Sequence, residues 1–391
     1  MRQASGDLFP TDVPIPASQM IGRDDDVREI AAALVGATNL IVAGPRRTGK
    51  TSVCEAALLR ARRQGCYTAS LDLFRIADAA ELAEALALTV IANRSPARRL
   101  IRRARELGRS ALTAAQAAAM LKLQSQFGEV IELAVTPGWA ARDPQRALDL
   151  ALELPERVAV ADGRRLVLFL DEFQELAGAR RPYGDPDQIT KRMRAAFQRS
   201  SSVSYLFAGS LEHVMRDLFA PQRRAFSGFG SFHVLRTIAA DDWLKGLAER
   251  FATDDCTAAP AALTRIVELG GGHPRATMRI GQQTHLVSVQ LDRREINLDL
   301  VELGYRAALE GDLPTMEQTV EEIRRLHKNA LQVARAISSG SSVPRRLAPA
   351  VRDRVLKLLL QAGIVEHVAR GDWRIVNPLL KEYLRRLDPL G

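Results

Sequence analysis

The chain has 391 residues, of which 47% are hydrophobic and 26% charged, the balance of a soluble globular protein with room for two or three domains. No apolar stretch approaches the roughly 18 residues that span a bilayer, and the N-terminus lacks the apolar core of a signal peptide, so we expect no membrane segment and a cytoplasmic location. The net charge of +9 permits an anionic partner such as nucleic acid but does not require one.

The three cysteines indicate neither a disulfide framework nor a zinc motif. They are odd in number, and none belongs to a CxxC pair. We therefore expect reduced, buried thiols at Cys54, Cys66 and Cys256.

Strands and helices alternate along the first part of the chain. Residues 1–19 are rich in proline and predict an extended arm, after which residues 27–34 and 52–63 have helical patterns. Short apolar runs predict strands at residues 39–43, 67–71, 166–170, 203–208 and 232–235. Strands that alternate with helices predict a parallel sheet covered by helices.

Residues 77–165 separate the second and third predicted strands and are rich in Ala, Leu and Arg. Their composition predicts helices, which we interpret as an insertion in the sheet domain. Breaks between these helices are predicted near Pro96, Gly128, Pro137-Gly138 and Pro144.

The C-terminal part of the chain is predicted to be mainly helical. Residues 239–313 have a helical pattern, and the region after them predicts helices followed by a β-hairpin, which is the order of a winged helix. Its predicted elements are a long helix at 320–337, a turn at 338–344, a short helix, a helix at 351–361, strands at 364–368 and 373–376, and a helix at 379–387.

The first predicted strand leads into a glycine-rich loop that matches G-x-x-x-x-G-K-[ST] in full, at Gly44, Pro45, Arg46, Arg47, Thr48, Gly49, Lys50 and Thr51. The glycines let the backbone curl, so that consecutive N–H groups face phosphate oxygens. Lys50 supplies a positive charge to the β- and γ-phosphates, and the Thr51 hydroxyl ligates Mg²⁺. This loop, together with the next residue, Ser52, is the predicted site for ATP and Mg²⁺.

Two later strands end on polar residues that complete such a site. Asp171 follows the apolar run 166–170, where it can hold Mg²⁺, and Glu172 beside it is the candidate general base for the attacking water. For Glu172 the alternative is a helix-capping acid without a chemical role. Ser210, after the fourth strand, can bond the γ-phosphate or the water, or can simply begin the next helix.

These segments resemble the AAA+ and related P-loop ATPases that have an extra strand between the loop strand and the acidic strand. Ile21-Gly22-Arg23-Asp24 resembles the segment that precedes the loop in archaeal-type, origin-recognition and STAND signalling ATPases, where it lies near the adenine. Gly271-Gly272-His273-Pro274-Arg275 resembles the "GGxP" signature of the archaeal-type and STAND groups, and in the initiator ATPases the same position holds a "GDAR" segment whose arginine is sensor 2.

The resemblance implies that Arg275 reaches the γ-phosphate from a helical lid, with His273 and Pro274 near the base. A glycine helix end followed by a proline helix start is the purely structural interpretation of the same segment, and the two are compatible. The implied fold is an α/β P-loop NTPase with a helical lid and a C-terminal winged helix, and the predicted helical insertion departs from the family pattern. Its predicted parts are an arm at 1–19, an ATPase core at 20–237, a lid at 238–314 and a winged helix at 315–391.

Basic residues suggest two surfaces for DNA and several candidates for an arginine finger. The most basic helix is predicted at residues 94–109, without interleaved aromatic residues, so phosphate contact or a merely solvated face is indicated. The winged helix offers a second surface at Arg345, Arg346, Arg352, Arg354, Lys357, Arg370 and Arg374, although its apolar residues favour a protein contact instead. The finger candidates are Arg192, Arg194, Arg199, Arg223 and Arg224, and none is singled out.

The sequence therefore predicts an ATP-binding, Mg²⁺-dependent ATPase that acts as a nucleotide-driven switch and that can act on DNA or form homo-oligomers. Two alternatives share the same motifs. One is a STAND-like signalling or defence switch with slow hydrolysis and oligomerisation as its output. The other is a transposition-type ATPase that targets DNA.

Overall fold

A computed structural model describes residues 4–11, 13–45, 47–108, 112–177, 186–210, 212–219, 226–341, 347–369 and 372–387. The chain forms two compact units. The sheet unit has the limits 25–44 and 53–235, and the helical unit has the limits 1–24, 45–52 and 236–391. Among the described residues, none of the helices combines the length and the apolar character needed to cross a membrane.

The helices of the described residues are α1 Ser5–Leu8, α2 Asp24–Val35, α3 Lys50–Arg63, α4 Ala79–Ile91, α5 Ser95–Leu107, α6 Ala114–Phe127, α7 Val130–Val135, α8 Pro144–Asp162, α9 Pro186–Gln198, α10 Glu212–Phe219, α11 Ala240–Thr253, α12 Pro260–Gly270, α13 Pro274–Gln290, α14 Leu298–Gly311, α15 Leu313–Leu326, α16 Ala330–Ser338, α17 Pro349–Gln361 and α18 Pro378–Arg386. The strands are β1 Leu40–Ala43, β2 Tyr67–Asp72, β3 Leu166–Asp171, β4 Val203–Gly209, β5 Ser231–His233, β6 Thr257–Ala258, β7 Glu295–Ile296, β8 Val365–Ala369 and β9 Asp372–Ile375.

The sheet unit contains a five-stranded parallel sheet in the order β2-β3-β4-β1-β5. Every residue of β1, β3 and β4 is buried, which explains why their sequences are continuous apolar runs rather than alternating ones. Strand β4 lies between β1 and β3, so the predicted extra strand between the loop strand and the acidic strand is confirmed. In this register Ala43 pairs with Gly209, and Leu170 pairs with Phe207.

The fifth strand is shorter than predicted and begins one residue earlier. It pairs with β1 from Ser231 to His233, at the edge of the sheet, and Val234 is already 67% exposed. Asn39 fixes the start of β1, because its side-chain amide donates to the Phe229 carbonyl at 3.1 Å and its oxygen accepts from the Tyr205 N–H at 2.9 Å.

The predicted insertion consists of the helices α4 to α8 between β2 and β3. Its predicted breaks coincide with helix ends, since α5 starts at Ser95, α6 is capped by Gly128, and α8 starts at Pro144. The buried faces of these helices continue the apolar core of the sheet. The insertion is therefore part of the hydrophobic core of this unit, not a separate module.

The helical unit has its own apolar core. Helices α13 and α14 approach closely at Gly304, where an added Cβ would lie only 2.4 Å from Thr284 Oγ1. Helices α15 to α18 follow, and β8 and β9 pair as an antiparallel hairpin. Helices followed by a hairpin is the predicted order, and the name winged helix remains a prediction.

Two details of this C-terminal region differ from the prediction. The helix predicted at 320–337 is two helices, because His327 adopts an extended conformation (φ −169°, ψ 146°) and its ring Nδ1 accepts from the Asn329 N–H at 3.1 Å. The short helix predicted before α17 is not found among residues 339–341 and 347–348, the described residues of that stretch.

The proline-rich N-terminal segment is anchored rather than extended throughout. It contains α1, and Phe9 is fully buried with its ring 5.0 Å from that of Phe251. Gly281 allows this approach, because an added Cβ would lie 2.8 Å from the Phe9 ring. The Gln282 amide donates to the Phe9 carbonyl at 3.1 Å, and Arg250 donates to the Leu8 carbonyl. The low overall hydrophobicity of the segment gave no sign of this buried residue in the sequence.

Phe9→Ala is expected to destabilise the helical unit by about 3–5 kcal/mol, because a fully buried aromatic side chain is replaced by a cavity. The measurement is thermal or urea unfolding. Phe74, which is 71% exposed, provides the matched control. Phe74→Ala should leave the unfolding midpoint almost unchanged, and equal effects of the two variants would contradict the burial of Phe9.

Candidate active site

The glycine-rich loop connects β1, which ends at Ala43, to α3, which begins at Lys50. Gly49 has φ +89°, a conformation that disfavours any residue with a side chain, although an added Cβ there would contact nothing within 4 Å. The backbone rather than the available space therefore requires this glycine. Arg46 lies outside the described residues, and Arg47 has φ +65°.

Lys50 is buried and directed into the curl of the loop. Its Nζ donates to the Pro45 carbonyl at 2.6 Å, and the Thr48 hydroxyl donates to the same carbonyl at 3.0 Å. Only 7% of Lys50 is exposed. Thr51 lies next to it in the first turn of α3, and the Ser52 hydroxyl accepts from the Ile15 N–H at 2.9 Å.

The segment that precedes the loop in sequence contacts it directly. Arg23 is buried, donates from Nη2 to the Thr48 carbonyl at 3.2 Å and donates from Nη1 to the Arg236 carbonyl. Gly22 has φ +61°, and an added Cβ would lie 2.8 Å from Ile238. The structure thus brings Arg23 to the loop.

The lid motif lies between α12 and α13. Gly271, with φ +55°, caps α12, and His273 caps α13 by accepting the Ala276 N–H on Nδ1 at 3.3 Å. Pro274 is the first residue of α13. The structural interpretation of this motif, a glycine helix end followed by a proline helix start, is therefore observed.

Arg275 belongs to a buried ion pair. Its Nη1 donates to Asp312 Oδ2 at 2.7 Å, and Arg279 Nε donates to the other oxygen of Asp312 at 3.1 Å. The side chains of Arg275 and Asp312 are only 12% and 5% exposed. Asp312, at the junction of α14 and α15, was not identified from the sequence, because it is 37 residues away from its partner.

Trp243 is a second residue that sequence analysis missed. It is 2% exposed, its indole Nε1 has no hydrogen-bond partner among the described residues, and an added Cβ on Gly272 would lie 3.9 Å from that nitrogen. A buried donor without a partner is uncommon in proteins. Its position beside the lid motif makes it a candidate contact for a bound ligand.

The predicted carboxylates lie at the end of β3 in the sheet unit. Asp171 is the last residue of the strand and is buried, and its Oδ1 accepts the Glu172 N–H at 2.9 Å. Glu172 has φ +50°, a left-handed conformation that costs a residue other than glycine about 1 kcal/mol or more. Such strain is typical of functional positions, where the surroundings hold a side chain in one orientation.

Gln174 joins the two functional strand ends. It is 2% exposed, and its amide donates to Glu172 Oε2 and to Ser210 Oγ, the latter at 3.2 Å. Its oxygen accepts the Ser210 N–H at 3.2 Å, and the Ser210 hydroxyl donates to Glu172 Oε2 at 3.1 Å. The structure therefore brings Glu172 and Ser210 together, as the sequence predicted, through a residue that the sequence did not single out.

Gly209 makes this network possible. An added Cβ at this position would lie 2.6 Å from Gln174 Oε1 and 2.5 Å from Met215 Sδ, so no other residue fits without displacement. The signal in the sequence was a glutamine between the apolar residues Phe173 and Leu176. A polar side chain in that position has to be satisfied inside the protein.

The candidate arginine fingers remain unassigned. Arg192 and Arg199 pair with Asp149 and Glu153 on α8, at 2.7 Å and 3.2 Å. Arg194 lies over the Phe229 ring, 4.4 Å from its centroid, and burial lowers the pKa of its guanidinium. Arg223 and Arg224 lie outside the described residues.

No known protein family matches the sequence, and a comparison with curated proteins finds no similar sequence. Solved structures do resemble this one. A Walker-type ATPase of Pyrococcus abyssi superimposes with a TM-score of 0.69 at 16% identity, over 97% of this chain and 99% of that one. The ORC2 protein of Aeropyrum pernix, in its ADPNP–ADP complexes, gives a TM-score of 0.59 at 16% identity, over 98% and 96% of the two chains.

At these identities the likeness concerns the fold. The chain has an α/β P-loop NTPase fold with a five-stranded parallel sheet, as in the Pyrococcus ATPase and ORC2. The α/β fold class predicted from the sequence is thereby confirmed.

Gln174→Ala is expected to lower the ATP turnover rate about tenfold, equivalent to ~1.4 kcal/mol, while nucleotide affinity changes little. The reason is that Gln174 positions Glu172 and Ser210. Single-turnover hydrolysis and equilibrium nucleotide binding measure the two effects separately. Gln188→Ala, at an exposed glutamine of α9, is the control. Loss of affinity without loss of turnover would contradict the positioning role.

Proposed function

We propose that this protein is a Mg²⁺-dependent ATPase that binds ATP at residues 44–52 and hydrolyses it with Asp171 and Glu172. The observation that carries the proposal is the order of the sheet. Strands β1, β4 and β3 are neighbours and parallel, so their carboxyl ends share one edge, where ligands of such sheets bind. The chain enters the glycine-rich loop at this edge, and the Glu172–Gln174–Ser210 network lies at the same edge.

The oxygen donors fit a magnesium ion. Thr51 follows the loop lysine, and Asp171 is a buried carboxylate at a strand end. Hydroxyl and carboxylate oxygens are the ligands that Mg²⁺ prefers. Bound there, the ion would neutralise charge on the phosphates. Lys50 would exchange its bond to the Pro45 carbonyl for phosphate oxygens.

Glu172 would take the proton of the attacking water. Its Oε2 already accepts hydrogen bonds from Gln174 and Ser210, so we assign the proton to Oε1. The left-handed backbone of Glu172 and the two donors hold the carboxylate in one orientation. Such preorganisation lowers the entropic cost of bringing base and water together.

We assign the remaining predicted residues to nucleotide binding as well. Arg23 shapes the loop through the Thr48 carbonyl, and we assign Ile21, Gly22, His273 and Pro274 to the surroundings of the base. Arg275 would reach the γ-phosphate by leaving or sharing Asp312. The parts 1–19, 20–237, 238–314 and 315–391 then act as arm, core, lid and winged helix, and movement of the last two with nucleotide state would be the output of the switch.

Two variants separate binding from hydrolysis. Lys50→Ala should lose measurable ATP affinity, because the phosphates lose their principal cation, whereas Glu172→Gln should bind ATP normally and stop turnover. Fluorescent-nucleotide titration and phosphate release are the measurements. Retained affinity in Lys50→Ala would refute the loop assignment, and unchanged hydrolysis in Glu172→Gln would move the base elsewhere.

Action on DNA is supported by the surface of α5. Arg98, Arg99, Arg102 and Arg103 are exposed on one side of this helix, whose opposite side is buried through Ala97, Leu100, Ile101 and Ala104. Arg94 and Arg105, which the sequence placed on the same basic surface, are paired with Asp162 and Glu84, and Arg109 lies outside the described residues. In the C-terminal region Arg354 and Lys357 are exposed on α17, and Arg374 is paired with Glu366, whereas Arg345, Arg346 and Arg370 lie outside the described residues.

Duplex DNA is expected to stimulate ATP turnover, and replacing the four exposed arginines of α5 by alanine should remove that stimulation and reduce the salt dependence of DNA binding. The control replaces the exposed arginines Arg60, Arg63, Arg324 and Arg325, which changes the net charge equally. Nucleotide-dependent assembly without any effect of DNA would instead support the STAND-like switch. Filaments that form only on DNA would support the transposition-type alternative.

A further inference from the structure

Three metal-binding side chains meet in the core of the helical unit, within residues 254–285 and apart from the candidate active site. They are Asp254, Cys256 and His285, and all three are buried, at 5%, 2% and 0% exposure. One donor atom of each lies within 4.8 Å of the other two. His285 Nε2 is 3.0 Å from Asp254 Oδ2.

The C-terminal end of α11 positions two of the three side chains, Asp254 and Cys256. Asp255 has φ +56°, the Asp255 N–H bonds the Ala252 carbonyl at 3.1 Å, and the Cys256 N–H bonds the Phe251 carbonyl at 3.0 Å. This is the Schellman pattern of a helix end, and it normally has glycine at the left-handed position. Here the left-handed residue is an aspartate that is 91% exposed, and its two neighbours turn inward. The strained turn therefore places the Asp254 carboxylate and the Cys256 thiol close together in the interior.

The third donor, His285, is oriented by a contact on its other ring nitrogen. Ser5 Oγ lies 2.8 Å from His285 Nδ1, so the nitrogen that faces Asp254 is Nε2. A histidine that binds a metal through one ring nitrogen ordinarily donates its other N–H to an oxygen, and Ser5 supplies that oxygen. The rings of Phe9 and Phe251 lie 6.2 Å and 6.4 Å from the His285 ring and form an apolar shell.

We propose that Asp254, Cys256 and His285 bind a zinc ion. One thiolate, one imidazole and one carboxylate form a donor set that zinc accepts, with bonds of about 2.0 to 2.3 Å. Tetrahedral bonds of that length place donors about 3.3 to 3.6 Å apart, so donors up to 4.8 Å apart approach by up to about 1.5 Å, and the 3.0 Å pair of His285 and Asp254 widens slightly. A water molecule or the second oxygen of Asp254 takes the fourth position. The ion would also compensate the burial of a carboxylate and a thiolate in this core.

The proposal concerns stability and not ATP hydrolysis. The Ser5 contact ties the N-terminal segment to His285, and Phe9 packs beside it. Because metal binding requires the folded arrangement of these residues, its binding free energy adds to the stability of the fold. The expected role is a structural ion that fastens the N-terminal segment to α11 and α13.

The test measures metal in the full-length, tag-free chain. Elemental analysis after purification without chelator should give about one zinc per chain. Cobalt added to the metal-free protein should produce a thiolate-to-cobalt charge-transfer band and visible bands of tetrahedral intensity. Removal of zinc by chelator should lower the unfolding midpoint, and added zinc should restore it.

Matched variants identify the ligands. Cys256→Ser should abolish the charge-transfer band, whereas Cys54→Ser and Cys66→Ser, at the two other buried thiols, should retain it. Asp254→Asn should weaken zinc binding at least tenfold while circular dichroism shows that the chain is folded. A wild-type protein without zinc and without a cobalt band would overturn the proposal. So would an unchanged band in Cys256→Ser, which would place the metal elsewhere.

Discussion

The pairing of β4 with both β1 and β3 is the constraint on which the candidate active site depends. Each of these strands is completely buried, so its side chains cannot change face without exposing an apolar surface to water. With Ala43 opposite Gly209 and Leu170 opposite Phe207, β1 leads into Gly44, β4 leads into Ser210 and β3 ends at Asp171. A slip of one strand would separate these residues. The core of the sheet thus determines where the chemistry can occur.

Within that frame the orientation of Glu172 depends on groups that are not part of any motif. Its backbone is left-handed, and the cost of that conformation is offset by the Gln174 and Ser210 hydrogen bonds to its carboxylate. Gly209 leaves the space that Gln174 needs. The left-handed backbone at Glu172 and the close contact at Gly209 therefore both serve to fix the position of Glu172 Oε2.

The sequence predicted the features that depend on local pattern. Continuous apolar runs indicated the buried strands, the glycine spacing indicated the loop, and helix-breaking residues such as Gly128 and Pro144 marked the ends of helices in the insertion. It did not predict features that depend on contacts between distant residues. The break at His327 lies inside a regular helical pattern. The contact of Phe9, in the proline-rich N-terminal segment, with Phe251 joins residues 242 positions apart.

The same reasoning applies to the candidate sites. Asp171, Glu172 and Ser210 were identified because each follows an apolar strand, which is a local signal. Gln174 and Asp312 act through partners 36 and 37 residues away, so no spacing rule includes them. Cys256 was predicted to be a reduced, buried thiol because it belongs to no CxxC pair, whereas its partners come from a helix end and from the middle of α13. A metal site assembled by tertiary packing has no fixed spacing in the sequence.

The N-terminal segment connects two of these features within the helical unit. Ser5 contacts His285, Phe9 fills the core beside it, the Ile15 N–H bonds Ser52, and Arg23 holds the Thr48 carbonyl. A segment fixed at both ends loses less conformational entropy when the loop binds a ligand, because part of that entropy has already been lost on folding. In the proposed zinc-bound form the far end of the segment would be held most firmly. The glycine-rich loop would then be ordered partly by the proposed ion.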